Sequence, residues 1–158
     1  MKAKFKIGVI SDTHGFLDPA VPKLFEGVSH ILHAGDIGPS SIIGQLEMVA
    51  PVTAVLGNND STPEFKLTEL VELAGRKILL QHIVNPREPD GPGRRRLLRD
   101  RPNAVVFGHT HKPFYEKIKG VLFFNPGYAG KPRFNATRSV AIWYCSEREI
   151  RAEFLQLT

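Results

Sequence analysis

Short apolar runs recur along this chain, and most are followed at once by a cluster of Asp, Asn, Gly or His. Phe5–Ile10 reads as a buried strand and runs into Ser11-Asp12-Thr13-His14. Ser29–Leu32 reads as a second strand and leads to His33-Ala34-Gly35-Asp36. Val52–Leu56 is followed by Gly57-Asn58-Asn59-Asp60, in a polar, turn-like stretch reaching Thr62. Between these strands the spacing predicts helices over Pro19–Glu26, begun by Asp18 and Pro19, and over Ser40–Met48. A strand-helix-strand-helix-strand order favours parallel strands joined by helical crossovers.

The second half changes character. Leu70–Leu73 and Lys77–Gln81 flank Ala74-Gly75-Arg76 and read as a hairpin whose second strand ends at His82. Gly93–Arg101 fits one helix, and the strand Ala104–Phe107 then runs into Gly108-His109-Thr110-His111. Phe114–Lys119, Val121–Phe124, Arg138–Tyr144 and Ile150–Leu155 complete a nearly all-strand tail. Such a chain packs two sheets face to face with helices outside. Asn85–Gly93, rich in Pro and Gly, is expected to be the mobile loop.

Composition narrows the picture modestly. A chain of 158 residues with 42% hydrophobic content fits one domain, taken as 1–158, with a real core. The apolar runs are too short to span a membrane or form a signal-peptide core, and MKAKFK leads straight into the first strand. The single Cys145 excludes an internal disulfide and fits the cytoplasm; its Trp143-Tyr144-Cys145 setting reads as apolar strand. The net charge of +5 suggests an anionic partner. Arg94, Arg95, Arg96, Arg99 and Arg101 read as a solvated helix face. No aromatics interleave this run, so nucleic acid enters only as a possible substrate.

Strand ends gathered at one sheet edge would bring together Asp12, His14, Asp36, Asn58, His82, His109 and His111. Two carboxylates, four imidazoles and an amide exceed the needs of one metal and match those of two. Imidazoles disfavour magnesium and calcium, which prefer oxygen shells, and favour manganese, iron, zinc, cobalt or nickel.

In order along the chain, D-x-H, G-D, G-N-x-D, a lone His after a strand, and G-H-x-H resemble the calcineurin-like metallophosphoesterases. The length and simplicity resemble the family's small prokaryotic phosphodiesterase branch, and Asn125-Pro126-Gly127 resembles that branch's N-P-G-S segment. The resemblance spans about Ile7 to Arg133. It implies an α/β four-layer sandwich, two mixed sheets flanked by helices, around a dinuclear centre with manganese as first candidate. Asp12, His14, Asp36 and His111 would hold one ion; Asp36 would bridge to a second completed by Asn58, His82 and His109. The implied reaction is phosphodiester hydrolysis, a bridging hydroxide attacking phosphorus in line. Two divalent ions, two carboxylates and that hydroxide leave one positive charge, suited to a diester monoanion.

Three positions depart from the family pattern. Asn59 stands where many relatives carry a His near the leaving oxygen. It can donate a hydrogen bond to a phosphoryl oxygen but is no general acid, which implies a preference for acidic leaving groups such as aryl ones. Ile83 follows His82 where relatives commonly show Gly, and Tyr128 replaces the Ser of N-P-G-S. Tyr128 reads either as a substrate-side aromatic or as packing; Arg133 either contacts substrate phosphate or ties its loop. His33 and Asp60 read as supports of the ligands. Alternative functions are a phosphomonoesterase or nucleotide hydrolase, and a retromer-like protein scaffold. The oligomeric state is open, with a homodimer among the options.

Overall fold

The computed structural model describes residues 5–158; the first four residues of the basic lead-in lie outside that range. Its elements are β1 (Phe5–Ile10), α1 (Ala20–Leu24), β2 (His30–His33), α2 (Ser41–Glu47), β3 (Val52–Ala54), β4 (Thr68–Leu73) and β5 (Arg76–Gln81). They continue with α3 (Pro92–Leu97), β6 (Ala104–Val106), β7 (Phe114–Ile118), β8 (Val121–Asn125), β9 (Arg138–Cys145) and β10 (Ile150–Leu157).

The strands form two five-stranded sheets, ordered β10-β9-β1-β2-β3 and β4-β5-β6-β8-β7. In the first, β1, β2 and β3 are parallel, β9 runs antiparallel to β1, and β10 antiparallel to β9. In the second, β5, β6 and β8 are parallel, with β4 and β7 antiparallel at the edges. The inner faces meet through Ile7, Val9, Ala141 and Trp143 against Ile78, Leu80, Val106 and Phe124. Ile10, Val140 and Ile142 point the other way and pack under α1 and α2. Leu79, Val105 and Phe123 pack under Leu97 and Leu98 of the α3 region. Central strands therefore lie buried on both faces, which explains why β1, β6 and β9 read as continuous apolar runs rather than alternations. This is the expected sandwich of two mixed sheets between helical layers.

Several boundaries differ from the sequence reading. All three helices are shorter, and the third stops at Leu97, where the cap residue Leu98 leaves helical backbone with φ of −98° and ψ of 14°. β3 ends at Ala54 instead of Leu56; Val55 instead bridges to Lys66 before the chain turns. The basic run is not uniformly solvated. Arg94 is buried, with its guanidinium 4.9 Å from the Phe123 ring centre. Arg94 donates to the carbonyl oxygens of Asn85, Pro86 and Glu88, so it holds the very loop expected to be mobile. An Arg sandwiched between an aromatic face and carbonyls gains both packing and hydrogen bonds, which a solvated position cannot offer. Cys145 lies in the core, where burial pushes its thiol up. No helix among the described residues is long and apolar enough to cross a membrane.

Candidate metal centre

The parallel strands of both sheets end at one edge, and the loops leaving them carry all the candidate ligands. Asp12 and His14 follow β1, Asp36 follows β2, Asn58 and Asn59 follow β3, His82 follows β5, and His109 and His111 follow β6. Backbone bonds join the first two loops directly: Asp12 N–H donates to Gly35 O (3.0 Å) and His14 N–H to Asp36 O (2.9 Å). Asp12, His14, Asp36, His109 and His111 all hold positive φ, between 47° and 72°. That conformation is costly for non-glycine residues and tends to cluster at functional sites. Two glycines make the close approach possible. A Cβ on Gly57 would collide with Asp36, and one on Gly108 with Ser11 and Asp12.

Two tight groups of donors result. Asp12, His14 and His111 form one; Asp12, Asp36 and His82 form the other. His111 Nε2 lies 3.4 Å from Asp12 Oδ1, and His82 Nε2 lies 3.3 Å from Asp36 Oδ2. Asp36 Oδ2 also stands 3.7 Å from His14 Nε2, so this carboxylate faces an imidazole of each expected set. Asp12 Oδ1 is likewise shared, 3.6 Å from His14 and 3.7 Å from His82. Asn58 and His109 stand apart from both groups on the exposed side. They pair with each other through His109 Nδ1 and Asn58 Oδ1 at 3.1 Å, and the His109 ring sits 5.4 Å from that of His82.

The fit to a cation rests on atoms that find no other partner. Asp12 Oδ1, His14 Nε2 and His82 Nε2 are buried without a hydrogen bond. His82 Nδ1 lies 2.8 Å from Ala34 O, which assigns its proton to Nδ1 and leaves a lone pair on Nε2 facing carboxylate oxygens. Acceptors facing acceptors in a buried site need a positive charge between them. Donor atoms about 2.0–2.2 Å from a shared ion lie about 3.0–3.4 Å apart, close to the spacings seen here. The residues present fit divalent metal.

Charge behaviour agrees. Burial, partly offset by His82 and Ser11, pushes the Asp12 carboxyl up. Burial also acts on Asp36, but the backbone N–H of Asn59, His82 and the Asn59 side chain outweigh it and hold that carboxyl below its ordinary value. His111 is held down chiefly by burial, which keeps its imidazole neutral and able to coordinate.

Supporting residues complete the arrangement. Asn59 donates to both carboxylate oxygens of Asp36, through its backbone N–H and its side-chain amide, each at 2.9 Å. Asp60 accepts from the backbone N–H groups of Ile37, Gly38 and Gly57, which joins the β2 and β3 loops. His33 is fully buried and pushed down to about 3 by burial, hence neutral. It accepts from Gly35 N–H at Nδ1 and meets the Thr13 hydroxyl at Nε2, while Thr13 donates to Ile37 O. Tyr128 is buried, its ring stacked 4.8 Å from His111 and its hydroxyl bonded to Lys131 O, so it packs behind His111. Arg133 is exposed beside the site, its guanidinium 4.8 Å from the Tyr128 ring centre.

Two supports have roles the sequence reading did not assign. Thr13 hides inside the D-x-H spacing and links His33 to the Ile37 loop. Asn125, fully buried at the end of β8, donates to Gly108 O and Thr110 Oγ1 and thereby holds the loop of His109 and His111. Its signal resembled that of the candidate ligands, a polar residue closing a buried apolar strand.

Residues 5–148 match the calcineurin-like phosphoesterase superfamily domain. The chain belongs to that superfamily, whose members depend on a dinuclear metal centre. A probable metallophosphoesterase of Methanothermobacter thermautotrophicus is 34% identical, over 95% of this chain and 91% of its own. A phosphodiesterase of Methanocaldococcus jannaschii is 28% identical, over 77% of this chain and 82% of its own. Among solved structures, Vps29 of Entamoeba histolytica in complex with zinc superposes with a TM-score of 0.75 at 20% identity. That match covers 96% of this chain and 99% of Vps29, and it speaks for the fold alone.

Proposed function

We propose that the protein is a metal-dependent phosphodiesterase, using two divalent transition-metal ions held by Asp12, His14, Asp36, Asn58, His82, His109 and His111. The observation that carries this reading is the meeting of unpartnered Asp12 Oδ1, His14 Nε2 and His82 Nε2 at one buried point. Bound there, the ions would acidify a shared water and polarise phosphoryl oxygens. Manganese is the first candidate, with iron, zinc, cobalt and nickel as alternatives.

The chain's own residues set the charge and the orientation. Neutral imidazoles add none to the two carboxylates, so the loaded site keeps a small positive excess suited to a diester monoanion. This supports a diester over a phosphomonoester or nucleotide, which brings more negative charge. Asn59 spends one amide N–H on Asp36 and keeps its second for a phosphoryl oxygen. Arg133 is the nearby cation for the same group. In the reaction a water-derived oxygen bonds to phosphorus as the opposite ester P–O bond breaks, and the departing oxygen takes a proton. With an amide at Asn59, aryl leaving groups are favoured over alkyl ones. The complete donor set supports an enzyme over a scaffold of the Vps29 kind.

The test is metal analysis after manganese reconstitution, with kcat/KM for bis(4-nitrophenyl) phosphate and 4-nitrophenyl phosphate. Two ions per chain and faster diester cleavage are expected. One ion or none, or a tenfold preference for the monoester, overturns the proposal.

A further inference from the structure

A cavity of about 320 Å³ lies directly beside Asn58 and His82, with Leu56, Leu67 and Ile83 on its wall. Leu67 and Ile83 are 67% and 53% exposed. Single exposed apolar side chains are ordinary, but two on one cavity that adjoins a reactive centre form a binding feature. Apart from Asn58 and His82, which face the metal centre, the wall's polar side chains are engaged within the protein. Thr68 donates to Gln81 Oε1 (3.0 Å), and Gln81 Nε2 donates to Ile83 O (3.1 Å). With those groups so engaged, the rest of the wall is chiefly hydrocarbon.

The opposite flank also carries a cavity. Beside His111 a second cavity, of about 340 Å³, is bounded by Thr110, Lys112, Pro113, Tyr128, Asn135 and Ala136, and its wall too is mostly apolar. A phosphodiester projects two arms from one phosphorus, whereas a monoester projects one. Two cavities on either side of one centre suit the two arms of a diester.

We propose that the Leu56–Leu67–Ile83 cavity receives one ester arm of the substrate and selects for an alkyl or aryl group there. The inference rests on the phosphodiesterase reading and adds the substrate class to it. Ile83, exposed on the cavity wall beside His82, becomes a specificity residue, together with Leu67.

The experiment measures calorimetric affinity of the manganese-loaded full chain for dimethyl, butyl methyl and hexyl methyl phosphate, whose hydrolysis is too slow to interfere. Burying a methylene is worth up to about a fourfold gain in affinity. Affinity should therefore rise about two- to fourfold per added methylene until the cavity is filled. The double variant Leu67→Ser/Ile83→Ser should lose that dependence, and both positions are exposed enough to tolerate the change. Met48→Ser removes an 88% exposed apolar side chain at the end of α2 and should keep it. Equal affinity for all three diesters, or a dependence that survives in the double variant, overturns the proposal. Cleavage of bis(4-nitrophenyl) phosphate by the same sample separates the two failures. Cleavage with a flat affinity series removes the cavity assignment alone; no cleavage and no diester binding removes the phosphodiesterase reading and this inference with it.

Discussion

Left-handed non-glycine residues occur at both ends of the sandwich, for opposite reasons. At the end away from the site, Ala74-Gly75 joins β4 to β5 and Lys119-Gly120 joins β7 to β8, with all four φ values between 50° and 83°. Two-residue hairpins need positive φ at both central positions, because only that turn matches the strand twist. Connectivity alone explains the conformation there. At the site end, Asp12, His14, Asp36, His109 and His111 reverse no hairpin, yet they hold the same backbone region. Each such residue costs about 1–2 kcal/mol, against a total domain stability of about 5–15 kcal/mol. What that strain achieves is placement, since it turns carboxylates and imidazoles inward from several loops at once.

Ion pairs divide the two ends in the same way. Arg138 and Asp18, near the site, meet at 2.7 Å with side chains only 4% and 12% exposed. Lys119 and Asp90, at the hairpin end, meet at the same distance with both side chains 76% exposed. Equal geometry does not mean equal consequence, because solvent screens the second pair and not the first.

The largest expected effect is that of Asp36→Ala. It removes the carboxylate facing both imidazole sets, so metal content should fall toward zero and hydrolysis to background, read by metal analysis and rate on one sample. Arg138→Met comes next and should cost about 3 kcal/mol in urea unfolding, the lower end for a broken buried pair, since Ala20 N–H still serves Asp18. The Asp18 carboxyl is held below its ordinary value by the Ala20 N–H and by Arg138. Its contribution is therefore present above about pH 4 and lost as pH falls through its folded value, so wild type and Arg138→Met should converge in acid. Asp90→Asn, by contrast, should leave the melting temperature unchanged.

His33→Ala loosens the Thr13 and Gly35 loops without removing a ligand. Metal content at saturation should survive, with affinity lowered about 10–100-fold in a competition titration. The smallest effects test the backbone comparison itself. Ala74→Asn should stabilise the protein by about 0.5–1 kcal/mol, because Asn tolerates this turn conformation, and should not touch metal binding. His14→Gly relaxes the backbone in the same way but removes a ligand. The metal-free protein should keep or gain stability while metal binding falls. If both substitutions leave metal binding intact, the strain at the site end has no placement role.

Residue types and their order determined much of this protein. Polar clusters after buried strands named all seven candidate ligands, because a parallel strand buried on both faces must be nearly all apolar and its chemistry has to wait for the loop. The pairing of β4 with β5 was also readable, since Ala74-Gly75 is a local turn. Contacts between loops from different strands were not. That Asn59 is committed to Asp36, that Tyr128 backs His111, and that Asn125 holds the His109–His111 loop all depend on β1 lying between β9 and β2, and β6 between β5 and β8. Arg94 shows the same limit in miniature, as its helix spacing predicts a solvated face while a Phe from β8 and three carbonyls draw it inside. Periodicity records what each segment requires of water; only the packed sheets decide which segments become neighbours, and through that which side chains are ligands, supports or walls of a cavity.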